Sequence, residues 1–518
     1  MDSNTSEKKI GTVYLVGAGP GDPELLTLKG KKALETAQVV LYDHLSSLDL
    51  LDLVPDSAEF IDVGKERGHP KLGQREIEEL MIDRAKRGLT VIRLKGGDPL
   101  VFGRGGEEGQ ALEQSGIPYV IVPGVTSAIS VPAYAGVPVS HRETNSRISI
   151  LTGHGNPDRM TKEEIASLAI PMQTVIVMMG VEHLQSLAQK IISAGRDQNT
   201  PVMIIRWGTT SQQTSWDTTL GEIAAHALAP PVKPPAVVVI GESAGKNVRL
   251  SWTQHLPLAH KTVLITRERD QASFLKNSLT SLGAEVLVCP TISIDQPDDW
   301  SPADHAIKAL EQWNWIMFLS PNGVRGFFTR FLSLGRDLRE LYTKKLFSLG
   351  PQTTKALSDW GITPDLVSGE SHGEGVIRSM QNVLKQGEQV LLVRGDRGDK
   401  SIPEGLTRSG GEVSVISCYV NRLPKLLPHV EDRISARILE GTIDAMVFYS
   451  PSAVTNLLSL FPRLANSIRS VPACAIGPTT RKALESEHFS RIHVSDDTSV
   501  ETMVQTIQQS LNTKQQHP

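Results

Sequence analysis

Two glycine-rich segments near the start of the 518-residue chain constrain its fold more than any other feature. Gly17-Ala18-Gly19-Pro20-Gly21-Asp22 and Leu94-Lys95-Gly96-Gly97-Asp98-Pro99 each follow a short β-branched run, and each precedes a helix-like stretch. A strand that stops at glycines brings bare backbone N–H and C=O groups to the end of a sheet, where open α/β sheets bind small ligands. Two such turns in one unit point to one nucleotide-like ligand held by backbone at two places.

The same residues argue against the commonest ligand of this kind. Gly17 and Gly19 begin a dinucleotide fingerprint, and Asp43 closes the next strand about where a ribose-binding acid belongs. Asp22, however, occupies the third glycine position and puts negative charge where a pyrophosphate would approach, while Pro20 stiffens the turn. No P-loop signature is present either. The neighbourhood of Asp22, Asp43 and Asp98 suits a cation better. S-adenosylmethionine, with its sulfonium, ammonium and ribose, matches carbonyl and carboxylate acceptors.

Strand-like runs at 13–16, 39–42, 91–94, 119–122, 149–151, 174–178, 202–205 and 237–240 alternate with helical patterns, which is α/β organisation. The length exceeds what one core fills and suggests about two to four domains. The alternation pauses at 250–261 and restarts at Thr262-Val263-Leu264-Ile265-Thr266-Arg267. Beyond it lies an internal echo. Phe318-Leu319-Ser320-Pro321-Asn322-Gly323-Val324 matches Phe448-Tyr449-Ser450-Pro451-Ser452-Ala453-Val454, and the run from Leu349-Gly350-Pro351 to Leu357 matches that from Ile476-Gly477-Pro478 to Leu484. Both pairs recur in the same order, so two similar α/β lobes are expected, facing one another across a cleft.

A net charge of -4 argues against a general nucleic-acid binder. No apolar run reaches the roughly 18 residues of a membrane helix, and the polar segment Met1–Lys9 lacks signal-peptide character. The expectation is a cytoplasmic protein with neither nucleic-acid nor membrane partners. Cys289, Cys418 and Cys474 are far apart and form no metal or redox pair, so buried thiols and no metal are expected.

The first 250 or so residues resemble the uroporphyrinogen-III C-methyltransferases, members of the tetrapyrrole methylases. The resemblance runs through Val16–Pro23, Leu25–Lys29, Val40-Leu41-Tyr42-Asp43, Val63-Gly64-Lys65, the stretch from Arg93 to Glu108, Pro123–Ser127, Tyr134–Pro138, Thr152-Gly153-His154, Met178-Met179-Gly180 and Pro235-Ala236. His44 and Ser127 depart from the usual Arg and Ala. The resemblance implies two α/β subdomains with S-adenosylmethionine folded between them. It implies cofactor contacts from Pro20, Gly96, Gly97, Asp98, Val101, Thr126, Ser127, Met179, Gly208 and Ala236. Asp43 is then the candidate general base and Lys65 the candidate proton donor. The substrate carries eight carboxylates, for which Arg67, Arg93, Arg104, Arg142 and Arg147 are candidate partners. Each of these, like His154, is equally readable as structural. A homodimer through this half is also implied.

Residues from 261 to about 510 resemble the uroporphyrinogen-III synthases, on Val263–Arg267, the two Ser-Pro and two Gly-Pro turns, Val390–Gly395 and Cys418-Tyr419. That reaction folds a linear polyanion, hydroxymethylbilane, and closes it into a ring, so donors along a cleft matter more than a strong acid. Ser320, Asn322, Thr353, Ser450, Ser452, Gly477 and Thr479 suit that role. Tyr419 either assists hydroxyl departure or packs against a strand end. Arg267 and Arg394 either pair with substrate or brace the lobes.

The expected organisation is a disordered 1–9, a methylase unit 10–252, a linker 253–260, a synthase-like unit 261–512 and a tail 513–518. Within the second unit, 261–295 and 418–512 form one lobe and 300–417 the other. The expected function is conversion of hydroxymethylbilane to uroporphyrinogen III, then two methylations to precorrin-2, feeding sirohaem or cobalamin. A methylase of another tetrapyrrole fused to a non-catalytic tetrapyrrole-binding module is the rival. No oxidation of precorrin-2 is expected, because no dehydrogenase domain precedes the first glycine turn.

Overall fold

The computed structural model describes residues 10–43, 48–64, 72–153, 157–225, 232–368, 373–396 and 400–512. Lys65, Arg67, His154, both terminal segments and His44 lie outside them.

Four sheets form among the described residues. The first has strands in the spatial order Glu59–Asp62, Val39–Tyr42, Val91–Lys95, Val13–Gly17, Tyr119–Val122, all parallel. Val39–Tyr42 and Val91–Lys95 are buried along their whole length, as strands of a parallel sheet covered on both faces must be. Ala33, Leu34, Leu50 and Leu51 cover one face. Met81, Ala85 and Leu112, from the helices Gln74–Lys86 and Gly105–Gln114, cover the other. Strand alternation turns Arg93 and Lys95 toward this second face, beside Val91.

The second sheet runs Arg147–Thr152, Gln173–Met178, Ala236–Ile240, Pro201–Arg206, Thr214–Thr219, parallel in its first pair and antiparallel in the rest. The helix Ser127–Tyr134, which leaves the first sheet, packs Ala128 and Val131 against Ile176, Met203, Ile205 and Val239 of this one. The two sheets therefore meet through one shared helix.

In the second half, one sheet holds Glu285–Val288, Thr262–Ile265, Ala445–Phe448, Ala473–Ala475 and Ile492–Val494, all parallel. The other runs Ser293–Asp295, Glu412–Arg422, Gln389–Gly395, Trp315–Phe318, Lys345–Leu349, Leu366–Ser368, parallel except for its first pair. The chain starts in one sheet, completes the other and returns; the expected lobe bounds shift, because Ser293–Asp295 and the end of Glu412–Arg422, with Cys418 and Tyr419, pair into the second of these sheets.

The repeated motifs occupy equivalent places. Ser320 caps the helix Pro321–Ser333 by accepting from Gly323 N–H at 3.1 Å, and Ser450 caps Pro451–Leu460 by accepting from Ala453 N–H at 3.2 Å. Their backbones nearly superpose, at φ -158°, ψ 154° and φ -158°, ψ 157°. Proline follows at the first helical position in both, where its missing N–H costs nothing. Among the described residues no helix is long and apolar enough to cross a membrane.

Candidate active sites

The two glycine turns lie at the C-terminal ends of adjacent parallel strands and bond to each other. Ala18 N–H donates to Lys95 O at 2.7 Å, and Gly19 and Gly97 exchange bonds of 3.2 and 2.7 Å. A third turn closes the cradle. A Cβ on Gly124 would sit 2.3 Å from Gly97 O, and one on Gly17 would sit 2.5 Å from Gly124 Cα. Three strand ends thus approach closer than any side chain permits. Thr126, capping Ser127–Tyr134, continues the rim. From the second sheet come Met179 and the loop around Gly208. Met179, Trp207 and Thr209 hold φ of 52°, 51° and 68°, a conformation that non-glycine residues adopt rarely and that gathers at functional sites. A Cβ on Gly208 would lie 2.3 Å from Val131.

The aspartates divide the work differently from the sequence expectation. Asp98 accepts from Leu100 N–H at 2.8 Å and Gly124 N–H at 3.0 Å. Asp22 accepts from Glu24 N–H at 2.8 Å and Tyr134 O–H at 2.6 Å, while its own N–H donates to Thr209 at 3.1 Å. Asp98 thus builds the cradle, and Asp22 ties the first glycine turn to the second sheet. Burial and the neighbouring Asp22 push the Tyr134 phenol well above its ordinary range. Asp43 follows its strand directly, with a side chain 25% exposed and Arg93 at 3.4 Å.

Beneath Asp43 lies a buried charge network. Arg93 reaches Asp43 at 3.4 Å and Glu108 at 3.3 Å, and Lys95 reaches Glu108 at 2.9 Å. Glu108 is fully buried, and Arg93 is 5% exposed. Arg93 also donates to the Leu94 carbonyl at 3.0 Å. Its assignment to substrate carboxylates is therefore corrected: facing a helix-covered side of the sheet, it positions Asp43 instead. Lys95 is held below the usual lysine range by burial and by Arg93, against the attraction of Glu108. Glu108 and Lys95 escaped the sequence reading, although two cations two residues apart on a buried strand demand an internal carboxylate. Arg104 is exposed and forks onto Glu107 at 3.0 and 2.6 Å, and Arg142 is exposed on the turn before the second sheet. Pro20, Gly96, Val101 and Ala236 are half-buried at strand or turn ends.

In the second half the structure brings Tyr419 and Ser320 together. Gly395 lets the Tyr419 ring cross the neighbouring strand, for a Cβ there would lie 2.6 Å from the ring. Ser320 Oγ, already accepting from Gly323 N–H, donates to Tyr419 Oη at 3.1 Å. That leaves the phenolic O–H to donate outward. In the other lobe Ser450 and Ser452 hydroxyls pair at 3.0 Å, and Arg267 lies 4.4 Å over the Tyr449 ring. Asn322 accepts from Arg325 at 2.5 Å. Thr353 is corrected. It and its counterpart Thr480 are each 2% exposed, because the second position after each Gly-Pro faces the core, whereas Gln352 and Thr479 face outward. Among the described residues no group of three His, Cys, Asp or Glu side chains is placed to hold a metal.

Comparison with known proteins covers both halves. Residues 12–224 match the family model of tetrapyrrole (corrin/porphyrin) methylases, and residues 273–505 match that of uroporphyrinogen-III synthase HemD. A porphyrin biosynthesis protein HemD from Ruminiclostridium josui is 31% identical over 95% of this chain and 97% of its own length. An S-adenosyl-L-methionine-dependent uroporphyrinogen III methyltransferase from Methanosarcina barkeri is 48% identical over 45% of this chain and 91% of its own. A solved uroporphyrin-III C-methyl transferase from Thermus thermophilus, complexed with S-adenyl homocysteine, is 38% identical. It covers 45% of this chain and 98% of its own, with a TM-score of 0.39.

Proposed function

Because the chain belongs to the family of porphyrin-biosynthesis proteins that join a tetrapyrrole methylase to a uroporphyrinogen-III synthase, we propose that it catalyses two consecutive reactions. The second half, 261–512, closes hydroxymethylbilane to uroporphyrinogen III. The first half, 10–252, methylates that product at C2 and C7 to give precorrin-2. We read it as a cytoplasmic homodimer paired through its first half.

The observation that carries the methylase reading is the interlocked cradle with Asp43 at its edge. The three turns pack backbone against backbone where no side chain would fit. S-adenosylmethionine bound there supplies an electrophilic methyl that needs no further activation. The protein's task is then alignment, which by itself lowers a barrier by several kcal/mol. Asp43, oriented by Arg93, takes the proton that leaves the macrocycle, a general-base role worth about 10²–10⁴-fold. Lys65 is assigned as proton donor by the resemblance alone.

The synthase reading is supported by the two capped helix starts and by Tyr419. Ring closure needs the polyanion folded so that the correct carbon attacks once the hydroxyl has left. Tyr419, held by Ser320, donates to that departing hydroxyl, and turn amides and hydroxyls of both lobes orient the carboxylates. Fusion places the product near its next site at a raised local concentration.

The deciding assay supplies purified protein with hydroxymethylbilane, with and without S-adenosylmethionine, and identifies products by isomer and mass. Type III uroporphyrinogen without the cofactor and a dimethylated product with it are expected. Only the type I isomer, which forms spontaneously, would end the synthase reading. Unmethylated type III in the presence of cofactor would give the first half another substrate.

A further inference from the structure

The helix Pro428–Leu439 belongs to the second half but touches the first along its whole length. Val430, Ile434 and Ile438 bury into the lobe's own core. The stripe beside it, His429, Arg433 and Arg437 at spacings of four, faces the methylase half, and all three side chains are nearly buried.

Two of these residues hold the first subdomain. Arg433 meets Asp49 at 2.5 Å and Asp52 at 3.9 Å, both on the short turn Leu48–Leu53 that follows Asp43. Burial works against the Arg433 charge, but Asp49 and Asp52 outweigh it and hold the guanidinium firmly protonated. His429 packs on Phe60 with ring centroids 4.9 Å apart and edge-on to Tyr42 at 6.3 Å. Tyr42 immediately precedes Asp43.

Arg437 holds the second subdomain. It pairs with Glu285 of its own half at 2.6 Å and reaches across to donate to Ser211 Oγ of the subdomain at 3.1 Å. Ser211 N–H and hydroxyl both bond to Glu285, and Gln212 donates to Glu440 at 3.4 Å. Ser211 and Gln212 sit on the loop that carries Gly208 and Thr209, and Thr209 bonds the first glycine turn.

We propose that this helix braces the methylase cleft: by gripping the turn after Asp43 with Arg433 and the Gly208 loop with Arg437, it sets the spacing between the two subdomains. Methyl-donor affinity in the first half thereby depends on residues of the second. The coupling is reciprocal, so filling the cleft tightens the helix. The proposal rests on the reading that the cleft takes an S-adenosyl ligand.

The test is hydrogen–deuterium exchange on the full chain with S-adenosylhomocysteine. Slower exchange is expected in 94–101, 124–130 and 207–213, and also in 428–439. Protection of the cleft segments without the helix overturns the brace. Protection nowhere removes the cofactor reading, and the brace with it. A second arm measures Arg433→Gln by calorimetry. Its affinity for S-adenosylhomocysteine should fall about tenfold, with Arg433→Lys closer to the parent and cyclisation of hydroxymethylbilane unchanged in both. Parental affinity in a folded Arg433→Gln protein refutes the proposal, and if that variant does not fold, the exchange arm decides.

Discussion

Replacing Glu108 by Gln keeps its volume and most of its hydrogen bonding but removes the one charge that both Arg93 and Lys95 reach inside the first half. Breaking a buried ion pair from one side typically costs about 3–5 kcal/mol, since a charge remains desolvated and uncompensated. With a urea slope of about 2–3 kcal/mol per molar, the unfolding midpoint of this half should drop by about 1–2.5 M. The pH dependence carries a further sign. Lys95 is already depressed in the folded chain because burial and Arg93 overcome Glu108, and Glu108→Gln depresses it further. The unfolded chain binds the extra proton between the folded value and the ordinary lysine value, so stability in both proteins rises with pH across that window. The variant sheds its lysine proton at lower pH than the parent. Its deficit is therefore largest while Lys95 is charged in both proteins and shrinks as pH rises toward the ordinary lysine value, leaving only the part due to Arg93, which stays charged. Urea unfolding read by exchange in peptides from 91–114 reports on this sheet alone. A midpoint within about 0.3 M of the parent, or a deficit that grows with pH, would show that the network does not hold the site as described.

Asp43→Asn should lower methylation of supplied uroporphyrinogen III by about 10²–10⁴-fold while cyclisation is untouched; equal loss of both activities would mean a folding defect instead. Ser320→Ala and Ser450→Ala each remove one equivalent helix cap and should cost about 1 kcal/mol, but the first should slow cyclisation more, because it also releases Tyr419; equal kinetics in the two would separate Tyr419 from the chemistry. Burial pushes the thiols of Cys289, Cys418 and Cys474 up to about 12, so at pH 8 none should react with a disulfide reagent in the folded chain and all three should react in guanidinium. One thiol titrating in the native state would contradict the packing around it.

What could be read from the sequence was what neighbouring residues decide among themselves. A glycine after a β-branched run announces a strand end wherever it occurs, and a Ser-Pro pair announces a helix start, so the cradle and the twin caps were legible. The role of Arg93 was not, because a cation at the end of a strand reads as a ligand contact until its cover is known. Its cover, Glu108, follows on the next helix and could have been matched to it by face. Thr353 was legible in principle. The echo aligns it with Thr480, and two threonines at one repeated position argue for a shared structural place before a shared chemical one.

The bracing stripe was hardest, since Arg433 and Asp49 lie 384 residues apart. Even so, the helix carries a local sign of what it does. His429, Arg433 and Arg437 stack at i, i+4 and i+8, and the residues three or four positions from Arg433 are His429, Val430, Ala436 and Arg437. No acid is within helical reach of Arg433, and an Arg–Arg pair at i, i+4 weakens a solvated helix by a few tenths of a kcal/mol. A solvent face has no reason to keep that arrangement, whereas a face that meets Asp49, Asp52 and Glu285 does. A buried arginine on an amphipathic helix, with no acid three or four residues away to answer it, therefore indicates that its acids come from another part of the chain.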